Sequence, residues 1–226
     1  MKTSSQKILL IGDSSLLPRE ELPYTKTYPY LLKALLSTSK IEMVGVSNNT
    51  SKKIALGIKP YTLYGFNPDT VILNYGIADV YPRPYPNWMD RLLACSGLQK
   101  YCDRFLKKTK LYYLLGDWFG YSSVPLDQFH TYSHNIVTQL FQQGVKKIIF
   151  VGIIRPSKIL LYSKTVNQKI KLYNQIFQSL ADSNKSIFYI DIYHDADETF
   201  SIWDGYHYSE IASDYLLQKI SKLIND

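Results

Sequence analysis

The sequence predicts an α/β fold in which helices cover both faces of a parallel sheet. Strand-like apolar runs alternate along the chain with segments of helical periodicity, which is the pattern of repeated β-α units. With 226 residues, 46% of them hydrophobic, the chain can fill the core of one large domain of this kind. The predicted strands are 7–11, 41–46, 70–74, 147–152 and 186–191.

Segments with helical periodicity lie between and after these strands. The leucine-rich run that begins at Tyr30 follows the first strand, and segments 165–182 and 209–224 show the same spacing of apolar residues. Segment 125–143 begins with proline and stops at Gly144, as helices commonly do. These helices would cover the two faces of the sheet.

One stretch, 82–123, departs from this alternation. It is rich in proline, tyrosine and tryptophan, and we expect it to form short helices over the edge of the sheet at which the strands end. Insertions at that edge commonly set substrate specificity in α/β enzymes. No repeat, low-complexity tract or linker divides the chain, so we predict a single domain over 1–226 with a cap-like insertion at about 82–123.

Composition narrows the classes of protein to consider. The longest apolar run, 148–154, is far short of the ~20 residues of a membrane span, and the run at 7–11 is too short for a signal-peptide core. We therefore predict a cytoplasmic protein with no membrane span. The formal charge of +7 is spread along the chain, which favours solvated helix ends, Lys107–Lys108 among them, over a nucleic-acid interface. A basic surface also favours an anionic substrate.

Neither metal ligands nor cofactor motifs stand out. On one helix, Cys95 and Cys102 would be about 10 Å apart, which is beyond the reach of a disulfide. His130 and His134 have a spacing that metal ligands use, but without a third ligand nearby an exposed helix face is favoured over a metal site. We predict no metal and no cofactor.

A serine and an Asp-x-x-His pair lie near opposite ends of the chain. The apolar run 7–11 leads into Gly-Asp-Ser, so Ser14 follows the first strand at the edge where open α/β sheets bind ligands. Asp204 and His207 directly precede the last predicted helix. A serine hydroxyl becomes a nucleophile when a histidine takes its proton and a carboxylate orients that histidine. We therefore predict that Ser14 is the nucleophile, His207 the base and Asp204 the orienting carboxylate.

These motifs resemble the sequence blocks of the SGNH (GDSL-type) hydrolase family. Gly12-Asp13-Ser14-Ser15 resembles the first block of the family, and Asp204-Gly205-Tyr206-His207 resembles the last. Gly76-Ile77-Ala78-Asp79 resembles the third block, which is usually Gly-x-Asn-Asp. The resemblance implies a flavodoxin-like three-layer α/β/α sandwich with ester or acyl chemistry on Ser14. Segments 12–19 and 76–83 further resemble a branch found among bacterial polysaccharide-biosynthesis proteins, which implies a sugar substrate.

Two positions depart from the family pattern. The third-block asparagine, which in the family donates its amide to the oxyanion, is Ala78 here, and the second-block glycine has no clear match after strand two. Losing one oxyanion donor can cost roughly 10²–10³ in rate. Beside the backbone of Ser14, the expected donors are Asn48 and Asn49, with Asn74 as a further candidate. If none of them substitutes, the hydrolase is weak, or the fold serves acyl transfer or binding.

Two arginines follow the first and third blocks. Arg19 and Arg83 each come directly after a proline, and we expect their guanidinium forks to bind a carboxylate or phosphate of the substrate. The alternative is that they form salt bridges with neighbouring acidic residues or helix ends. The block residues Asp13, Gly76 and Asp79 are also expected to contribute to substrate binding.

The predicted triad and the resemblance favour a serine esterase that removes an acyl group, acetyl above all, from a sugar or polysaccharide precursor. One alternative is an O-acyltransferase that uses the same serine and histidine. The other is a glycan-binding protein that has kept the fold and lost its oxyanion hole. In each case the expected partner is a small molecule or a glycan, and not a nucleic acid.

Overall fold

A computed structural model describes residues 6–63, 65–109, 111–156, 163 and 165–225. Within them the chain forms one five-stranded sheet with the order β2-β1-β3-β4-β5, and every neighbouring pair is parallel. This is the strand order of flavodoxin-like folds. The strands are β1 (Lys7–Gly12), β2 (Lys40–Gly45), β3 (Thr70–Asn74), β4 (Lys147–Val151) and β5 (Ile187–Ile190). The predicted parallel sheet is confirmed, with every strand boundary within one residue of its expected place.

Helices fill the connections between the strands. They are α1 (Tyr28–Leu35), α2 (Ser51–Leu63), α3 (Ile77–Val80), α4 (Asn87–Cys95), α5 (Gln99–Lys108), α6 (Leu111–Phe119), α7 (Leu126–Gln142), α8 (Val166–Ser183), α9 (Ile192–Asp195) and α10 (Glu210–Asn225). Four of them, α1, α7, α8 and α10, match the helices expected from the sequence. The sequence did not predict α2, because a glycine and a proline, which are poor helix formers, fall inside its range.

Alternate residues of each strand face opposite sides of the sheet, and each side is buried under its own helices. On one side, Leu10 and Ile72 belong to a core that includes apolar residues of α1 and α10. On the other side, Leu9 and Phe150 belong to a core built with α2, α7 and α8. These two cores make the protein a three-layer α/β/α sandwich, as expected.

The expected insertion is a cap made of α4, α5 and α6. Its ends meet, because Pro82 forms an isolated antiparallel bridge with Ser122. The two cysteines lie on different helices, Cys95 at the end of α4 and Cys102 within α5, so the separation calculated for a single helix does not apply to them. Both are free thiols. Across the described ranges, no helix has the length and apolar character needed to cross a membrane.

Candidate active site

Ser14 lies where β1 ends, at the carboxyl edge of the sheet. The backbone N–H of Asp13 donates to the carbonyl oxygen of Asn74 at 3.1 Å, which ties this turn to the end of β3. A side chain on Gly12 would overlap the same carbonyl oxygen, so only glycine permits this close approach. The carboxylate of Asp13 accepts a hydrogen bond from the backbone N–H of Ser15 at 2.9 Å. Hydrogen bonds from Asp13 to Asn74 and from Ser15 to Asp13 thus fix the turn that carries Ser14.

Asp204 and His207 lie in the loop that leads into α10. The loop is closed by an antiparallel bridge between Ser201 and Tyr208, and it turns at Gly205, whose φ is 81°. The Asp204 carboxylate accepts the backbone N–H of His207 at 3.0 Å. A short closed loop therefore fixes the positions of both side chains relative to each other.

The three predicted residues form one chain of hydrogen bonds. The distance from Ser14 Oγ to His207 Nε2 is 2.8 Å, and His207 Nδ1 lies 2.5 Å from Asp204 Oδ2. Burial alone would raise the pKa of Asp204, but the hydrogen bonds it accepts from His207 and from the backbone N–H of Tyr206 together outweigh burial and hold that pKa below its usual value. The imidazole is thus placed to take the serine proton beside an ionised carboxylate.

Arg19 also contacts the imidazole. Its Nη2 lies 2.7 Å from His207 Nε2 and 3.5 Å from the carbonyl oxygen of Ser14. Because a guanidinium can only donate, Nε2 must be the acceptor, and the imidazole proton is on Nδ1, facing Asp204. The guanidinium and the Ser14 hydroxyl therefore compete for the same lone pair of His207.

A cavity of about 630 Å³ opens in front of Ser14 and His207. Its basic lining residues are Arg19, Lys53, Arg83 and Lys107, and its acidic one is Asp103. The carboxylate of Asp103 accepts a hydrogen bond from the Tyr85 hydroxyl. The lining therefore has an excess of positive charge, which suits an anionic ligand.

Arg83 lies where the cap meets the cavity. Its Nε donates to Ser123 Oγ at 2.8 Å, and its Nη1 lies 3.4 Å from the Tyr112 hydroxyl. Both of these partners, among the residues that the structure describes, contribute hydroxyl groups, and neither contributes a carboxylate. The guanidinium is thus oriented by neutral groups, and its charge is left for a ligand.

Of the three asparagines considered as oxyanion donors, Asn48 lines the cavity. Its backbone is left-handed, with a φ of 56°. Asn49 is buried, and its amide donates to the carbonyl oxygen of Gly12 at 3.2 Å. The amide of Asn74 is also buried and donates to the Tyr208 hydroxyl at 2.7 Å. The expectation that Asn49 donates to an oxyanion is therefore corrected, because its amide holds the end of β1 instead.

Three residues expected to bind substrate lie beneath the cavity and do not line it. Asp79 is fully buried, and its Oδ1 accepts the Ser51 hydroxyl at 2.6 Å. Burial raises the pKa of Asp79 to about 7, and it raises the pKa of the equally buried Asp13 to about 6. Gly76 adopts a φ of 123° in the turn before α3 and packs against Ile153. This placement corrects the expectation of substrate contact, since Asp13 and Gly76 belong to the turns that carry Ser14 and the third block, and Asp79 holds the start of α2.

Sequence reasoning missed several residues of the cavity wall. Lys107 lies exposed in the last turn of α5, as expected for a solvated helix end, and it also lines the cavity beside Tyr112, with its ammonium group 5.1 Å from that ring centre. Lys53 and Tyr206 line it as well. The position of Tyr206 between Asp204 and His207 was the one signal in the sequence that could have placed it there.

No metal centre is evident in the described part of the chain. No group of three or more histidine, cysteine, aspartate or glutamate side chains lies close enough there to hold an ion. His130 and His134 lie on α7 with their side chains exposed, as expected.

The chain matches no protein-family model and no curated protein in sequence. Solved structures match it over nearly its full length. A lipase/acylhydrolase from Enterococcus faecalis has a TM-score of 0.67 at 15% identity, covering 97% of this chain and 95% of that chain. A catalytic mutant of an acetylxylan esterase from Geobacillus stearothermophilus has a TM-score of 0.61 at 20% identity, covering 98% and 95%. A G-D-S-L family protein from Desulfitobacterium hafniense has a TM-score of 0.62 at 15% identity, covering 96% and 99%. The chain thus has the same three-layer fold as these proteins.

Proposed function

We propose that this protein is a serine ester hydrolase that removes an acyl group, acetyl above all, from a sugar or polysaccharide precursor. The observation that carries the proposal is the hydrogen-bond chain from Ser14 through His207 to Asp204. The fold supports it, because the structures of similar fold include acylhydrolases and an acetylxylan esterase. We further propose that it acts in the cytoplasm, where its two free cysteines would stay reduced.

In the proposed reaction, Ser14 Oγ attacks the acyl carbon of the ester while its proton passes to His207 Nε2. The sugar oxygen then leaves with that proton, and the acyl group remains on the serine. Water attacks the acyl-serine with His207 again as the base, and a carboxylic acid is released. The ionised Asp204 stabilises the imidazolium in both steps. The backbone N–H of Ser14 and a donor from Asn48 would bind the oxyanion.

The charge of the cavity points to an anionic substrate. Arg83, oriented by hydroxyl groups, would bind a carboxylate or phosphate in bidentate fashion. Arg19 would bind the same kind of group nearer to the reacting ester. Since Arg19 occupies the lone pair that must receive the serine proton, it has to leave Nε2 before reaction. A substrate anion that draws Arg19 away would free the base and bind the substrate in the same movement.

The test of this proposal uses p-nitrophenyl acetate and a serine-directed phosphonate. Wild-type protein should hydrolyse the ester and take up one phosphonate, and Ser14→Ala should abolish both. Ser15→Ala is the matched control, because it removes the neighbouring hydroxyl and leaves the backbone N–H that holds Asp13. Labelling that persists in Ser14→Ala would refute the assignment.

The same assay separates the proposed hydrolase from its alternatives. If adding a sugar acceptor diverts the acetyl group from water to the sugar, the protein is an O-acyltransferase. The glycan-binding alternative is favoured by the alanine at position 78, which removes the family's amide donor from the cavity. Neither labelling nor turnover, together with binding of an acidic glycan, would establish that alternative.

A further inference from the structure

The cap exposes an unusual concentration of large apolar side chains. Of the 17 large hydrophobic side chains that are exposed in the described residues, ten lie between Trp88 and Tyr121. Trp118 is 80% exposed and Tyr101 is 71% exposed. Aromatic side chains of this size present on the order of 100 Å² each. The six aromatic and four leucine side chains of this set together expose more apolar surface than the few hundred Å² of the largest patch on a typical soluble protein.

These side chains are arranged in pairs along the cap helices. Each of the three helices carries two of them four residues apart, on one helical face. The pairs are Trp88 and Leu92 on α4, Tyr101 and Phe105 on α5, and Leu114 and Trp118 on α6. Since α5 packs against both α4 and α6, the pairs belong to one compact unit. None of the ten residues of α5 is buried, so the whole helix lies at the surface.

The charged side chains of the cap that are fully exposed are all basic. Within the described part of the cap, every exposed charged side chain is basic: Lys100, Arg104, Lys107 and Lys108. Its acidic side chains are only partly exposed and accept hydrogen bonds from neighbours: Asp90 from Gln99, Asp103 from Tyr85, and Asp117 from Ser163 and Thr165. The fully exposed charged groups of the outer surface are therefore basic, and its aspartates lie partly covered among their hydrogen-bond donors.

We propose that this surface docks the protein on the face of a membrane that contains anionic phospholipids. Short helices with aromatic and leucine side chains beside lysine and arginine are the type that lies in the lipid interface. Each basic group near the surface adds to the attraction by acidic headgroups. A symmetric contact with a second copy of the chain would instead place these basic groups against one another.

Docking would also bring the cavity to the lipid. The cap contributes Lys107 from α5 and Tyr112 from α6 to the cavity wall, so the same two helices carry both surfaces. One helix is about 10 Å across, and the cavity would lie about that far from the headgroups. This proposal does not depend on ester hydrolysis, because it concerns where the protein binds and not which bond it breaks.

Cosedimentation with lipid vesicles tests the proposal on the full chain. Vesicles of phosphatidylcholine with phosphatidylglycerol should pellet the protein, pure phosphatidylcholine should bind it weakly, and added salt should release it. Reversing two charges with Lys100→Glu and Arg104→Glu should weaken binding on the order of tenfold or more. Tyr101→Ser with Phe105→Ser should weaken it similarly. Leu56→Ser, at a position that is 73% exposed outside the cap, and Lys185→Glu are matched controls that should bind normally.

Tryptophan fluorescence gives a second readout. The chain has three tryptophans, and Trp203→Phe leaves only Trp88 and Trp118, both on the cap. Their emission should shift to shorter wavelength with phosphatidylglycerol vesicles and should be quenched by brominated lipids. An unchanged spectrum in the presence of vesicles would contradict docking through the cap.

Two further results would overturn the proposal. One is vesicle binding that the cap substitutions leave unchanged. The other is a protein that ignores vesicles and forms a dimer that Tyr101→Ser with Phe105→Ser dissociates, since the occupant of this surface would then be a second copy. Turnover of soluble p-nitrophenyl acetate should persist in the cap variants. Loss of membrane binding is thereby distinguished from misfolding and from failure of the proposed hydrolysis.

Discussion

Replacing Arg19 with methionine should speed hydrolysis of a neutral ester. Methionine keeps an unbranched apolar stem but removes the guanidinium that lies 2.7 Å from His207 Nε2. If the guanidinium stayed in place during reaction, it would oppose the imidazolium by about 4 kcal/mol, for charges about 4 Å apart at an effective dielectric constant of about 20. If it moved away, the cost would be that of one charged hydrogen bond, about 1.5–3 kcal/mol.

The smaller of these two free-energy costs, that of moving the guanidinium away from His207, decides the rate. A barrier lowered by about 1.5–3 kcal/mol corresponds to a gain of roughly 10- to 150-fold. We therefore expect Arg19→Met to raise kcat/KM for p-nitrophenyl acetate by that factor. Inorganic phosphate should accelerate the wild-type protein on the same ester, because a free anion can also attract Arg19. It should not accelerate Arg19→Met.

The opposite result is expected for an O-acetylated uronic acid, whose carboxylate Arg19 would bind. With this substrate, Arg19→Met should raise KM. The wild-type protein should therefore prefer the anionic ester, and the variant should prefer the neutral one. Arg83→Met is the matched control, because Arg83 lines the same cavity and contacts hydroxyl groups instead of His207. It should raise KM for the acidic substrate without gain on the neutral ester. Neutral-ester turnover that is unchanged in Arg19→Met would refute the competition for Nε2.

Three further predictions test the residues around Ser14. Asp204→Asn should retain on the order of 10- to 100-fold more activity than His207→Ala, because it leaves the base in place; equal losses in kcat would contradict the assigned roles. Ala78→Asn adds an amide donor to the cavity wall and should raise kcat at least tenfold, because one oxyanion donor changes the rate by about 10²–10³. The gain should vanish in the His207→Ala background. The folded-state pKa of Asp79, about 7, lies above the 3.8 of an ordinary carboxyl, so the unfolded chain releases this proton first as the pH rises. Through Asp79 alone, stability should therefore fall between about pH 4 and pH 7 by up to about 1.4 kcal/mol per pH unit, and Asp79→Asn should remove this share of the slope in urea unfolding while the share from Asp13 remains.

Local patterns predicted the strands and the three central residues of the site, because each lies in a short continuous signal. The run into Ser14 and the loop from Asp204 to His207 can be recognised without knowledge of the packing. The contact between Arg19 and His207 could not be predicted, since it joins residues 188 positions apart through one side-chain conformation. Burial of Asp79 was missed for a similar reason, because its partner Ser51 begins a helix that local composition disfavours.

The joined ends of the cap have an evolutionary consequence. Because Pro82 and Ser122 pair, the intervening helices form a detachable unit, and their replacement would leave the sheet and the hydrogen-bonded residues around Ser14 unaltered. The same exchange would remove Lys107 and Tyr112 from the cavity wall together with the aromatic and basic outer surface. Substrate preference and membrane docking would thus change together when the cap is replaced. Relatives with a different cap should therefore differ in both properties at once.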